Sequence, residues 1–377
     1  MEKGIPPHLN PLPQGERKER GKGGDMKAAV YYGIKDIRIE EVKTPVCGKD
    51  EIKLKVHYCA ICGTDVRIYL SGHKKVIPPA VIGHEITGVI EEIGQDVQYP
   101  EAIKKGDKVT LVTSIGCGKC KMCKKGFYNL CPDTKAIGYF YPGGYAEYVI
   151  VPVPAVKQKA VIKLPENLSL KEGALIEALS CVINGQGYLN IGEGDTVVIY
   201  GGGPIGFMHA VLAQAEGAEK VIMVDPAYER LERFGRNFTD IIMLDPKKVS
   251  VKDEVMRLTD GYGADVVITA CPAKQAQVEG LEILGSKGRI SLFGGLPKDD
   301  SFINIDANLI HYKELSVFGS FASNRKDFIK AAQLISEGKI DAGKFISRVL
   351  PLERINEGIE MVRSGEVLKC VMEVNRE

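Results

Sequence analysis

The chain has 377 residues, 50 Lys and Arg against 49 Asp and Glu, and no tryptophan. That length accommodates two domains with cores of their own. A formal net charge of +1 with interspersed signs argues against a nucleic-acid or anionic-membrane partner, and no apolar run approaches a membrane span.

In chain order, residues 1–25 are rich in Pro, Gly and charge, without apolar periodicity, and read as a disordered extension. They lack the apolar core of a signal peptide, and their acidic residues argue against a transit peptide. Met26 opens a β pattern with strands at 26–32, 37–42, 51–58, 85–93, 108–112 and 145–151. Short strands at irregular spacing suggest a partly open β-barrel over residues 26–175, with a cysteine-rich lobe at about 114–133. From about Leu170 strands alternate with helices. Six of them, at 197–200, 221–224, 241–244, 266–269, 289–293 and 315–318, predict an α/β doubly wound parallel sheet over 176–320. Residues 321–377 hold two further helices and two extended segments, too little to fold alone, and are expected to return to the first domain.

The stretch Val197-Val-Ile-Tyr-Gly201-Gly-Gly203-Pro204-Ile205-Gly206 places G-x-G-x-x-G where a buried strand turns into a helix. Glycines there allow the tight turn, close approach to a pyrophosphate and helix–strand contact, and the helix start offers free N–H groups. Asp225 ends the next strand about 20 residues on, where a carboxylate accepts the ribose hydroxyls of a dinucleotide. An acidic residue repels a 2′-phosphate, so NAD is favoured over NADP, although Arg230 lies close in sequence.

Ten cysteines without a secretory signal read as thiolate ligands in a reducing cytoplasm. Cys117, Cys120, Cys123 and Cys131 form C-x2-C-x2-C-x7-C, four thiolates that close a tetrahedral structural zinc. The first gaps also fit a ferredoxin-type run, but the surrounding Lys119, Lys121, Lys124 and Lys125 suggest an exposed lobe rather than an electron-transfer core. Cys62, His84, Glu85 and Glu177 are suitable ligands for an open, catalytic zinc. Each also has a bland reading: a buried thiol, a loop histidine, a surface carboxylate. Cys59 and Cys62 also read as a redox C-x-x-C, but such a motif usually opens a helix and Cys59 ends a strand.

Together, Cys62-Gly-Thr64-Asp65, Gly83-His84-Glu85, the four-cysteine lobe, Gly143-Gly-Tyr-Ala-Glu147, Glu177-Ala-Leu-Ser180, the glycine loop and Asp225 resemble the zinc-containing medium-chain dehydrogenase/reductase family, near its sorbitol and threonine dehydrogenase branches. The resemblance runs from Met26 to Val374. It implies a GroES-like catalytic domain, a Rossmann domain, one catalytic and one structural zinc, NAD, and an active site between the domains. By resemblance, Cys62 and His84 bind the catalytic zinc, Glu85 and Glu177 bind it directly or through water, and Thr64 starts the proton relay. Gly294 matches a position whose backbone meets the nicotinamide. The implied reaction is hydride transfer from a polyol or related secondary alcohol, in a homodimer or homotetramer.

Arg67 departs from the family, standing where several members have a relay histidine. It reads either as a structural partner of Asp65 or Glu85, or as a selector of an anionic substrate such as a sugar phosphate. The competing functions are L-threonine 3-dehydrogenase, a sugar-alcohol-phosphate dehydrogenase and a non-enzymatic NAD-binding protein. A nucleic-acid role for the lobe has only its lysines in support.

Overall fold

The structure is a computed structural model that describes residues 24–99 and 102–377. The extension read from residues 1–25 lies almost wholly outside them, and Asp25 already belongs to the first strand. The chain divides into two compact units. One comprises the described residues up to Ala178 with Ser323–Ser336 and Ile346–Glu377, the other Leu179–Ala322 with Glu337–Phe345. In the second, the Phe345 ring lies 5.0 Å from Phe238. No helix is long and apolar enough to cross a membrane among the described residues.

The second unit is built on a six-stranded sheet. Its spatial order is Ile241–Leu244, Lys220–Val224, Thr196–Tyr200, Ala264–Thr269, Leu284–Leu292 and Ser316–Gly319, with every pairing parallel. By chain order this is 3-2-1-4-5-6, the doubly wound arrangement. All six expected strands are present, the fifth beginning earlier than its apolar run. Thr196–Tyr200 is buried throughout, as a parallel strand covered on both faces must be. The order reverses between Thr196–Tyr200 and Ala264–Thr269, and ligands bind beyond the carboxyl ends of strands at such a switch point. Gly201 follows immediately.

The first unit is built of mostly antiparallel pairings, with one parallel pairing between Ile346–Pro351 and Lys369–Glu373. One sheet runs Val161–Lys163, Lys108–Leu111, Glu85–Ile93, Ile52–Ala60, Lys369–Glu373 and Ile346–Pro351, and Tyr148–Val151 adds to Ile52–Ala60. A three-stranded sheet orders Asp36–Lys43, Asp25–Gly33 and Ala80–Val81. Register sets the site. Ala60 faces Glu85 on one side and Val371 on the other, so the strand from the tail brings Lys369 to Glu85. The short strands Ala80–Val81, Ser114–Ile115, Lys135–Ala136 and Val161–Lys163 carry too few residues to show a period, and the sequence reading missed them.

One strand differs from expectation. It starts at Tyr148 rather than 145, because Gly143–Ala146 bonds to two neighbouring segments, around Val81–Gly83 and Ala28–Ala29, instead of pairing along one strand. Gly144 and Tyr145 donate backbone hydrogen bonds to Gly83 and Ile82, while Ala146 bridges Ala28. A Cβ on Gly143 would stand 2.2 Å from the Gly83 carbonyl oxygen, so only glycine fits.

Candidate metal centres and dinucleotide site

In the first unit, Cys62 caps the helix Gly63–Ser71, and Asp65 at its third position accepts the Cys62 backbone N–H at 3.0 Å. This reciprocal geometry follows from placing an acidic residue three positions after the cap. Cys59 ends the strand Ile52–Ala60, as expected, and the helix opens only at Cys62, so the pair lacks the placement of a redox C-x-x-C. Cys59 is also fully buried, and burial holds its thiol well above the ordinary range.

The ligand atoms of Cys62, His84 and Glu85 lie within 4.8 Å of one another. Asp65 is fully buried, and one of its oxygens accepts from both Cys62 N–H and Tyr145 Oη (2.9 Å). Its other oxygen has no hydrogen bond and faces His84 Nδ1 at 3.4 Å, itself without a hydrogen bond. Two orphaned polar atoms facing each other in this way hold the imidazole with Nδ1 toward the carboxylate and leave Nε2 for a metal, the usual carboxylate–histidine–metal arrangement. Burial acts to raise the Asp65 carboxyl, but His84, the Cys62 N–H and Tyr145 outweigh it and hold it below its ordinary value.

Glu85 is 1% exposed and Lys369 3%. The Lys369 ammonium donates to both Glu85 oxygens and, at 3.3 Å, to the Ile61 carbonyl. Burial would depress the Lys369 pKa, yet Glu85 and then Cys62 raise it. Glu177 is not one of the three converging ligands. It is 8% exposed and lies near enough to act on Lys369 and Tyr139 electrostatically.

Sequence reasoning missed three residues of this site. The orienting role of Asp65 was legible in its spacing from Cys62. Tyr139, whose ring lies 5.3 Å from His84 and 5.4 Å from His73, and Lys369 had no local signal. Arg67 pairs with neither Asp65 nor Glu85, which overturns the structural-partner reading. It reaches Thr64 Oγ1 at 3.5 Å.

At the second centre, the sulfurs of Cys117, Cys120, Cys123 and Cys131 lie within 4.8 Å of one another. The Cys120–Cys131 separation is 3.8 Å. A tetrahedron with Zn–S bonds of about 2.3 Å has sulfurs about 3.8 Å apart, so the spacing fits one ion. A cluster would hold its cysteines further apart, around inorganic sulfide. Backbone N–H groups of Cys117 and Cys123 donate to Cys131 and Cys120 sulfurs at 3.3 and 3.4 Å. The amides of Lys119 and then Cys120 bring the Cys117 thiol down to about 6, toward the ligating thiolate.

In the second unit, Gly201 has φ +119°, and a Cβ on Gly206 would stand 1.8 Å from the Gly201 carbonyl oxygen. Gly203 caps the helix Pro204–Ala215, with Pro204 and Ile205 in its first turn. Asp225 is 5% exposed and accepts from Gly202 N–H (2.6 Å), Ala227 N–H (2.7 Å) and Arg230 Nη2 (3.1 Å). Gly294 lies at the end of the fifth strand, where a Cβ would stand 2.4 Å from the Cys271 carbonyl oxygen. Its N–H donates to Thr269 at 2.7 Å.

The profile of the alcohol dehydrogenase GroES-like domain matches residues 48–166, and that of the zinc-binding dehydrogenase matches 204–337. The chain is 32% identical to sorbitol dehydrogenase of Halalkalibacterium halodurans over 92% of its own length and 99% of the relative's. It is 33% identical to L-threonine 3-dehydrogenase of Pyrococcus abyssi over 92% and 97%. A solved zinc-binding-dehydrogenase structure from Sinorhizobium meliloti, bound to NADP, superposes with a TM-score of 0.85 at 30% identity, covering 93% of this chain and 99% of the other. With a parallel 3-2-1-4-5-6 sheet, two metal-competent clusters and relatives of this extent, the chain belongs to the zinc-containing medium-chain dehydrogenase/reductase family of the alcohol dehydrogenase superfamily.

Proposed function

We propose that the protein is an NAD-dependent dehydrogenase of polyols or related secondary alcohols, with a catalytic zinc on Cys62, His84 and Glu85 and a structural zinc on Cys117, Cys120, Cys123 and Cys131. The observation that carries the reading is the convergence of Cys62, His84 and Glu85 with Asp65 behind the imidazole. A binding protein has no use for such a three-ligand centre, which leaves a coordination position for substrate. Bound there, zinc supplies a Lewis acid that lowers the pKa of an alcohol, and NAD supplies the hydride acceptor.

The chain's own residues do the rest. Asp65 fixes the His84 tautomer, and Lys369 offsets the buried Glu85 carboxylate. Thr64 Oγ1 takes the substrate proton. The guanidinium of Arg67 has no acceptor to pass it onward, so the proton leaves to solvent. Glu177 stands by as a further carboxylate for the metal. Gly201, Gly203 and Gly206 with the helix start at Pro204–Ile205 cradle the pyrophosphate. Asp225 receives the ribose hydroxyls and repels a 2′-phosphate, while Arg230 and the Gly202 N–H hold one of its oxygens and orient it. The backbone at Gly294 meets the nicotinamide side.

The test is absorbance-monitored NAD and NADP reduction over polyols, butanediol and threonine, with and without a chelator. Chelator-sensitive turnover of a polyol with NAD is expected; threonine as the sole good substrate would replace the polyol reading. No turnover with any alcohol and no NAD binding would favour a non-enzymatic protein.

We also infer a homodimer formed along the outer strand Ser316–Gly319. This sheet edge is exposed, including Val317 (42%), and so are Tyr312 (79%) and Phe302 (89%) earlier in the chain. Light scattering that gives the monomer mass would reject it. Ten cysteines free of disulfides support a cytoplasmic location.

A further inference from the structure

Arg67 is exposed on the helix that also carries Thr64, and no carboxylate pairs with it among the described residues. Its hydrogen bond is the loose 3.5 Å contact to Thr64 Oγ1, so most of the donors of its planar fork are unused. An exposed arginine commonly finds an acidic neighbour within its own helix, as Arg257 does with Glu254 and Arg363 with Glu360. The helix of Arg67 has one acidic residue, Asp65, which is buried and committed to Tyr145, Cys62 and His84.

The surroundings are cationic. His73 is held below its ordinary value by burial first and then by the positive charges of Arg67, Lys75 and Lys74. The same His73 ring contacts Tyr139, which contacts His84 in turn. Ring contacts therefore run from His84 through Tyr139 to His73, which Lys74 and Lys75 follow directly in the chain.

We propose that Arg67 binds a phosphate monoester on the alcohol substrate, so that the enzyme acts on a phosphorylated polyol. The inference rests on the dehydrogenase reading above and names its substrate class. The guanidinium lies 3.5 Å from the hydroxyl that meets the reacting alcohol, so the phosphate is carried within a few bonds of the oxidised carbon. The arginine fork matches phosphate oxygens bidentately, and the positive charges of Lys74 and Lys75 around His73 add to a field that favours a dianion over a single carboxylate charge. This gives the departure from the relay histidine a purpose: the position selects substrate instead of moving a proton. The phosphate makes no bond and breaks none. It is retained unchanged while the alcohol loses a hydride to NAD and a proton to Thr64.

The zinc-loaded enzyme is assayed with sorbitol, sorbitol 6-phosphate and a sugar acid, as wild type, Arg67→Ala and Arg67→Lys. The wild-type kcat/KM is expected to favour the phosphate over the neutral polyol by about 10- to 100-fold, chiefly through KM, the size of a charge-assisted contact. The preference shrinks as salt rises. In Arg67→Ala the ratio collapses toward one, and Arg67→Lys restores part of it, having the charge without the fork. Calorimetric titration with inorganic phosphate gives a readout independent of turnover: binding to the wild type that Arg67→Ala loses. No preference for the phosphate, a ratio untouched by Arg67→Ala, or phosphate binding absent or unchanged in the variant would each overturn the proposal. An equal or larger Arg67-dependent preference for the acid overturns the phosphate assignment. Failure of the dehydrogenase reading is distinct: no chelator-sensitive NAD reduction with any of the three.

Discussion

The two metal centres of the first unit are built in opposite ways. In the lobe, four sulfurs come from one short loop, with Cys117 and Cys131 only 14 positions apart, and backbone amides from the same loop donate to them. In the other, Cys62 comes from a helix cap, His84 from a loop, Glu85 from the start of a strand, and the counter-charge of Glu85 from Lys369, 284 positions away. Closing a short loop costs little entropy, so the metal itself organises the lobe. The dispersed centre exists only once the sheet is assembled. Metal should therefore hold the first centre together and merely occupy the second.

Breaking the lobe has the largest expected effect. Cys123→Ser should lower zinc from two to one per chain and make residues 114–136 protease-sensitive, a loss on the order of 10 kcal/mol of metal-coupled folding. Retention of two zincs with unchanged proteolysis would refute the single-ion assignment.

Lys369→Met comes next and tests the converse. It strands a buried carboxylate, at a cost of about 3–5 kcal/mol in denaturant unfolding of the metal-free protein. Added zinc should recover part of that, because the ion's charge replaces the ammonium. Equal losses with and without zinc would mean that Glu85 does not face the metal.

A third test contrasts two buried histidines. His84 has Asp65 behind it. His209, on the helix Pro204–Ala215, is fully buried with neither ring nitrogen bonded, and burial brings it down to about 3 from 6.5. The unfolded state binds a proton below about 6.5 while the folded state stays neutral until about 3. Stability thus falls as pH falls through that window, by up to about 1.4 kcal/mol per pH unit. His209→Leu should flatten urea-derived stability against pH there; an identical slope to wild type would show that the imidazole is protonated or bonded when folded.

The smallest effect is expected from Asp65→Asn, which keeps the shape but weakens the hold on the His84 tautomer. Affinity at the catalytic centre should drop about 10- to 100-fold in competition with a chromophoric chelator, while the lobe keeps its zinc. A loss shared by both centres would indicate general unfolding.

The glycine loop was legible because its chemistry is local: Gly206 has to be glycine where a Cβ would meet the Gly201 carbonyl, and strand, turn and helix follow in one stretch. The lobe was legible for the same reason. The catalytic ligands were legible one by one, but composition and spacing could not join them, and only the family resemblance did.

The sequence by itself determined the two architectures, the glycine fingerprint and the four-thiolate centre, because strand period, turn geometry and short-range ligand spacing act over a few residues. Tertiary structure alone decided that Lys369 neutralises Glu85, that Asp65 faces His84 while Glu177 stays outside the converging three, and that Arg67 has no acidic partner among the described residues. Each of those depends on strand register and on which buried charges meet across the sheet, and pairings between residues hundreds of positions apart leave no local pattern to read.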